Sequence, residues 1–348
     1  MKNDVVKNRI KYLEKQIAML IATRQLLDDK EKEKMLRNIE NLMVQSHEEV
    51  SSMVSDDLKK VYESELDKAV KYLQDNGIDF ATALNSQVHA GALDVIIGDT
   101  MLDLSSAYRT AQQRLVSNIE QTLDKVKQSI ADGTMYGNTR RKTVKAVYDD
   151  FYTKGLTSFT TIDGKELPLD FYAETLVRTK TSTASINAHV NTYEEADVDL
   201  VEVVGSSDPC GECAPYHNVV FSLHGNDERF PQLDVKSMFP LHPNCRCNVL
   251  PYILEYETNE SIDEKISKGQ SFDPDKDTRT KEQKEMYDDI QRRRRIARQE
   301  TKQYDKMKSV LGNDAPKTIG AYRRMKRANS KRYKELQAKM RELNKHSV

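Results

Sequence analysis

Two short clusters constrain this chain more than any other feature: Cys210-Gly-Glu-Cys213 and His242-Pro-Asn-Cys245-Arg-Cys247. Together they contain all 4 cysteines of its 348 residues. Two thiolates separated by two residues can grip one ion from a single turn, and a second pair, returned by the intervening loop, completes a tetrahedron. Cys210, Cys213, Cys245 and Cys247 suffice for a four-thiolate zinc site. His242 offers a three-thiolate alternative that leaves one cysteine outside, and spacing leaves open which of His242, Cys245 and Cys247 ligate. Two disulfides or four free thiols are the competing readings. Met1–Lys7 lacks the apolar core of a secretory leader, so the chain is expected to begin life in a reducing cytoplasm. There, clustered cysteines hold metal more often than they form disulfides. Four thiolates leave no position open for water, so the expected Zn2+ is structural.

The rest of the chain reads mainly as helix. Charged residues make up 31%, aromatics 7%, and there are only 13 glycines and 9 prolines. That composition favours long, polar-surfaced helices over a sandwich or barrel. Ile10, Leu13, Ile17, Leu20 and Ile21 recur at helical steps, and Met35, Ile39, Leu42 and Met43 continue after a charged break at Asp28–Lys34. A helical hairpin facing a partner is expected there. Leu58, Val61, Tyr62, Leu66, Ala69, Val70 and Leu73 mark a further helix over 56–75, stopped by Asn76-Gly77. Over 79–130 the pattern predicts two more helices, with Asp79 as a cap, Gly98-Asp99 as the divide and Asp132-Gly133 as the stop. A short helix is expected over Thr139–Thr153, and a hairpin or ordered loop around Asp163-Gly164. Asp170 is expected to cap a helix over 170–196.

The texture then changes. Asp199–Gly205 alternates and is rich in β-branched residues, so it reads as a strand delivering the chain to Cys210. His217–Leu223 and Cys247–Ile253 are the second and third strand candidates. The fold class expected is mainly α with a small α+β, metal-stapled module: 1–165 a helical assembly region, 166–256 the cysteine module, 257–348 a linker and basic helical tail. Asp273–Asp277 is the expected linker. His217 and His224 flank the second strand as weaker ligand candidates, and read more simply as surface or turn residues.

Net charge is −1, but it is unevenly spread. Residues 291–348 carry 19 Lys/Arg against 5 Asp/Glu, a surplus of +14, which leaves −15 for residues 1–290. Arg292, Arg293, Arg294, Arg295 and Arg298, then Arg323, Arg324, Lys326 and Arg327, can neutralise phosphates whatever the base sequence. Tyr304, Tyr322 and Tyr333 are interleaved. Docking on an acidic protein surface is the rival use of so basic a tail.

No Gly-x-Ser-x-Gly, His-Glu-x-x-His or Walker sequence occurs. Arg178–Thr183 lacks the glycine loop of a phosphate site and reads as a polar helix face. Asp208, Glu212, Asp227, Glu228 and Asp234 are loose candidates for a metal-dependent nuclease. That nuclease and a zinc-ribbon nucleic-acid-binding regulator are the alternatives to a structural protein. No apolar run is long enough to cross a bilayer.

Tyr172-Ala-x-x-x-Val-Arg-Thr, Cys210-Gly-Glu-Cys213 and His242-Pro-Asn-Cys-Arg-Cys247 resemble the head-morphogenesis domain of tailed-phage minor head proteins, the Mu protein-F-like group. The helical N-terminal half, Asp132-Gly-Thr-Met-Tyr-Gly-Asn-Thr-Arg-Arg and Ala315-Pro-Lys-Thr-Ile-Gly-Ala-Tyr-Arg-Arg-Met-Lys resemble the phage minor capsid protein 2 branch. The resemblance implies a low-copy structural protein of the virion, inside the head near the portal and in the bacterial cytoplasm during assembly. It implies the portal protein, capsid or scaffold proteins and packaged double-stranded DNA as partners, with no membrane in the assembled head, no small-molecule substrate and no enzyme activity.

Overall fold

The computed structural model describes residues 4–22, 29–78, 84–131, 157, 159–160 and 166–345. Three helices open the chain: α1 (Asp4–Ala22), α2 (Asp29–Asp75) and α3 (Ser86–Ala131). The buried stripes of α1 and α2 follow those of the sequence, with Val6, Val50 and Val54 added, whereas Val95 and Leu102 of α3 are exposed. Val6, Ile10, Leu13 and Ile17 line α1, and Met35, Ile39, Met43, Val50, Val54, Leu58, Tyr62, Ala69 and Leu73 line α2.

Two expected interruptions are absent. The helical segments expected up to residue 50 and over 56–75 are joined in one 47-residue helix, because Val50 and Val54 carry the apolar stripe straight through. Gly98-Asp99 does not divide α3 either. A glycine inside a helix costs only about 0.5–1 kcal/mol relative to alanine. Buried Ile96, Thr100 and Leu104 anchor the helix on both sides of it, and Thr100 Oγ1 donates to the Ile96 carbonyl at 2.6 Å. The expected stop at Asn76-Gly77 is built as a Schellman motif. Gly77 has φ 75°, its N–H bonds to the Gln74 carbonyl, and Ile78 N–H reaches back to Leu73, both at 3.0 Å.

Strands β1 (Phe159–Thr160) and β2 (Glu166–Leu167) pair antiparallel, which fits the hairpin of the two alternatives expected there. The expected turn at Asp163-Gly164, the Thr139–Thr153 helix, the Asp79 cap and the Asp132-Gly133 stop lie outside the described residues. Helix α4 (Leu169–Glu195) starts before Asp170, so that carboxylate stands in the first turn instead of capping it. There it still faces the positive end of the helix dipole.

All three strand candidates form. In β3 (Leu200–Val204), β4 (Val220–Ser222) and β5 (Asn248–Pro251), β3 lies central and antiparallel to both neighbours. Val201 stands opposite Phe221, and Val203 opposite Val249. These four side chains share a core with Ile186, Val190 and Tyr193 of α4, Ala69 and Leu73 of α2, and three of the cysteines. Leu200 and Val220 point the other way, into a second cluster with Phe230, Tyr252 and Ile266. Period-two alternation thus gives the small sheet two buried faces.

The short α5 (Val235–Met238) and α6 (Asn259–Gln270) complete this region. Phe272, just beyond α6, packs edge-on to Tyr216 and Phe221 with ring centroids 5.1 Å away in each case. Helices α7 (Lys281–Leu311), α8 (Ile319–Arg327) and α9 (Lys331–Lys345) form the basic C-terminal region around Tyr304, Met307, Leu311, Tyr322, Leu336 and Met340.

Contacts group the chain into two compact units. One comprises Met1–Lys7, His47–Ser106 and Phe171–Asp288; the other comprises Asn8–Ser46, Ala107–Asp170 and Asp289–Val348. The mainly helical class with a small antiparallel sheet and a Cys/His cluster is the expected one.

Candidate metal centre

The first cysteine pair follows β3. Cys210–Cys213 makes one turn, closed by Ala214 N–H bonding to the Cys210 carbonyl at 3.0 Å, and Cys213 opens a 3-10 turn over Ala214–Tyr216. The second pair precedes β5. His242-Pro243-Asn244-Cys245 is a tight turn in which Cys245 N–H bonds to the His242 carbonyl at 3.0 Å. Proline second and Asn244 third, at φ 66°, is the chemistry of a type II turn. Arg178 of α4 braces it, donating to Asn244 Oδ1 at 3.4 Å and pairing with Glu174. Asp208 and Arg246 tie one loop to the other at 2.8 Å. The Arg246 hydrogen bond holds the Asp208 carboxyl below its usual range.

All five predicted ligands come together. His242 Nε2 lies 3.0 Å from Cys210 Sγ and 3.1 Å from Cys213 Sγ, and Cys213 Sγ lies 3.6 Å from Cys245 Sγ. Two triads result, Cys210–Cys213–His242 and Cys213–Cys245–Cys247, with donor atoms inside each no more than 4.8 Å apart. Cys213 belongs to both. The four thiols are free; a disulfide would need sulfurs about 2.05 Å apart.

The donor set fits a thiophilic ion. Opposite sulfurs of a tetrahedral zinc site, each about 2.3 Å from the ion, stand roughly 3.8 Å apart. His242 Nδ1 lies 2.9 Å from the Pro243 carbonyl, which can only accept, so Nδ1 carries the hydrogen and the Nε2 lone pair faces sulfur. Burial opposes charging of His242, but the Pro243 carbonyl and the Cys210 sulfur outweigh it and raise its pKa. The Cys245 thiol is pulled far down by hydrogen bonds from the Cys213 and Cys247 thiols, with help from the backbone at Cys247 and Leu241. Among the described residues the metal-capable groups contain only cysteine and histidine.

His217 is the neighbour that sequence reasoning set aside. Its Nε2 lies 3.4 Å from Cys247 Sγ. The ring stands over Gly205, where an added Cβ would fall 2.1 Å from Cε1 and Nε2. The signal was its place at the head of the second strand, which pairs back beside the cysteine loops. His224 does lie on the surface, 3.1 Å from Asp199 and 3.7 Å from Glu194. His89 contacts Tyr62 at 3.0 Å and Glu195 at 3.5 Å; His189 contacts Glu65 and the Val249 carbonyl, both at 3.3 Å.

Three of the five loose carboxylates have structural work, and Glu212 and Glu228 join neither metal-capable group. Asp208 holds Arg246, Asp227 holds Arg229 at 2.6 Å, and Asp234 caps α5. The basic residues divide. Arg292 and Arg293 pair with Asp289 one turn back on α7, and Arg323 and Lys326 face the buried Glu300. Arg294, Arg295, Arg298 and Lys302 line a concave patch of about 380 Å³ together with Gln291 and Gln299. Arg324 and Arg327 are exposed in the last turn of α8.

Fold and site together define a class: a long-helix protein carrying a small antiparallel sheet beside a cluster of sulfur and imidazole. The model of the family described as phage minor capsid protein 2 matches residues 4–344. The chain belongs to that family, and its role is that of a structural component of a phage capsid. No curated protein and no solved structure matches it. No helix among the described residues is long and apolar enough to cross a membrane.

Proposed function

We propose that this chain is a zinc-stapled minor capsid protein that acts in procapsid assembly at the portal and in DNA packaging or ejection, without enzyme activity of its own. The observation that carries the reading is the family match over residues 4–344. Two surfaces support its finer parts. Helix α3 exposes Val88, Val95 and Leu102 at seven-residue intervals, at 44%, 64% and 72%, with Gly91 and Gly98 open between them. An apolar stripe with small residues between its side chains suits close helix packing in an assembly. The concave face of Arg294, Arg295, Arg298 and Lys302 suits a phosphate backbone.

Zn2+ is the cofactor of this reading. Thiolates and a neutral imidazole prefer it, and a site filled by four protein ligands serves folding, not catalysis. Co-expression with portal and capsid proteins of the same phage tests assembly. The wild type is expected in procapsids, and Val95→Asp with Leu102→Asp is expected to be excluded while remaining folded. A chain that cleaves plasmid DNA with added Mg2+ or Zn2+, and loses this on Cys210→Ser with its fold intact, would replace the structural reading by a nuclease.

A further inference from the structure

The two triads share Cys213, so four-ligand sets compete for an ion within the same cluster. We propose that one zinc ion is held by Cys210, Cys213, His242 and Cys245, and that Cys247 is a non-ligating thiol engaged by His217. The assignment rests on the zinc reading above and decides which donors do the work.

His242 belongs inside the set. Its Nε2 sits within 3.1 Å of two sulfurs, and its other nitrogen is tied to the Pro243 carbonyl. A backbone carbonyl on the far nitrogen is the usual arrangement that orients a metal-ligating imidazole. Cys245 follows from Cys213. The 3.6 Å between their sulfurs is nearly the roughly 3.8 Å that two thiolates adopt across one tetrahedral zinc. Cys245 also closes the His242 turn, so one turn presents both donors.

Cys247 lies with Cys213 and Cys245 in the second triad, and differs from Cys245 in what else it touches. Its sulfur meets His217 Nε2 at 3.4 Å. That ring is wedged against Gly205, with no room for even a methyl group, so it is held beside Cys247. Cys247 leads directly into β5, whose pairing with β3 fixes its place. A Cys-x-Cys bite around one ion is thereby replaced by a division of labour: Cys245 for the metal, Cys247 for the imidazole that stands over Gly205.

The test is metal content and Co2+ spectroscopy on the full chain, reconstituted without oxygen. The expected result is one ion per chain and a thiolate-to-cobalt charge-transfer intensity that Cys247→Ser leaves unchanged. Cys245→Ser is expected to lose about a third of that intensity, and His242→Ala to weaken Zn2+ affinity roughly tenfold or more. If Cys245→Ser does not fold, the wild type and Cys247→Ser still decide, because neither removes a proposed ligand. Loss of charge-transfer intensity in Cys247→Ser, with His242→Ala unaffected, overturns the assignment in favour of four thiolates. Two ions per chain overturn it in favour of a cluster bridged by Cys213. A wild-type chain that takes up no ion sinks the zinc reading itself, an outcome distinct from both.

Discussion

Helix α2 and the cysteine loops are stabilised in opposite ways. α2 spreads its burial over Met35, Ile39, Met43, Val50, Val54, Leu58, Tyr62, Ala69 and Leu73, with each large apolar side chain contributing on the order of 1.5–3 kcal/mol. The loops between β3 and β5 contain only the three-residue β4 and two single helical turns. Their buried cysteines stand among aromatic rings, and in the zinc reading proposed above one shared ion would carry much of their order. A structure of many small contributions tolerates a glycine or a charged break. One built around a single knot does not.

Removing the ion should break the comparison most sharply. Chelation, or Cys213→Ser, is expected to remove several kcal/mol from the cysteine module while most of the helical signal remains. Tyrosine fluorescence is the convenient probe, since the chain has 16 tyrosines and no tryptophan. Tyr216 packs beside Cys213 and against Phe239 at 5.5 Å. A single cooperative loss of all helix on chelation would contradict the contrast. Leu58→Ala tests the opposite arm. It should cost about 2–5 kcal/mol in thermal melts and leave zinc stoichiometry untouched.

A smaller effect is expected with pH. Burial holds His189 below the usual 6.5, although the Val249 carbonyl and Glu65 favour the cation. His89 is lowered in the same way. Such groups bind fewer protons folded than unfolded, so their stabilisation is complete above the unfolded value and is lost as pH falls below it. His189→Gln should flatten the dependence of melting temperature on pH below 6.5, with metal content followed in parallel. An unchanged slope would show that His189 contributes nothing to the acid sensitivity and would leave it to His89 and the sulfur cluster.

The smallest effect on stability, near zero, belongs to the tail. Neutralising Arg294 and Arg295 should weaken duplex DNA binding and lower the salt slope by about 0.9 for each phosphate that is no longer neutralised. Neutralising Arg292 and Arg293 should do less, because Asp289 already offsets them. Equal effects would mean that this local pairing is irrelevant in solution. No effect from either pair would redirect the tail to a protein partner.

How much was legible follows from range. Every strand of the central sheet, the Gly77 stop and the buried stripes could be read from neighbours a few residues apart. The continuity of α2 and α3 could not. Whether Gly98 ends a helix depends on what Ile96, Thr100 and Leu104 pack against, and propensity alone does not contain that. Asp170 missed its cap by the same small margin that separates a helix start from its first turn.

The chemistry divides in the same way. By itself the chain of residues determined that two sulfur pairs and an imidazole would be available, because turn residues such as Pro243 and Asn244 impose their geometry locally. Only the tertiary structure decided that His217 would stand beside Cys247, and that Cys213 would sit in both triads. The reason is that hydrogen bonds across β3, β4 and β5 bring together loops about thirty residues apart, and no local preference encodes which of their donors then meet.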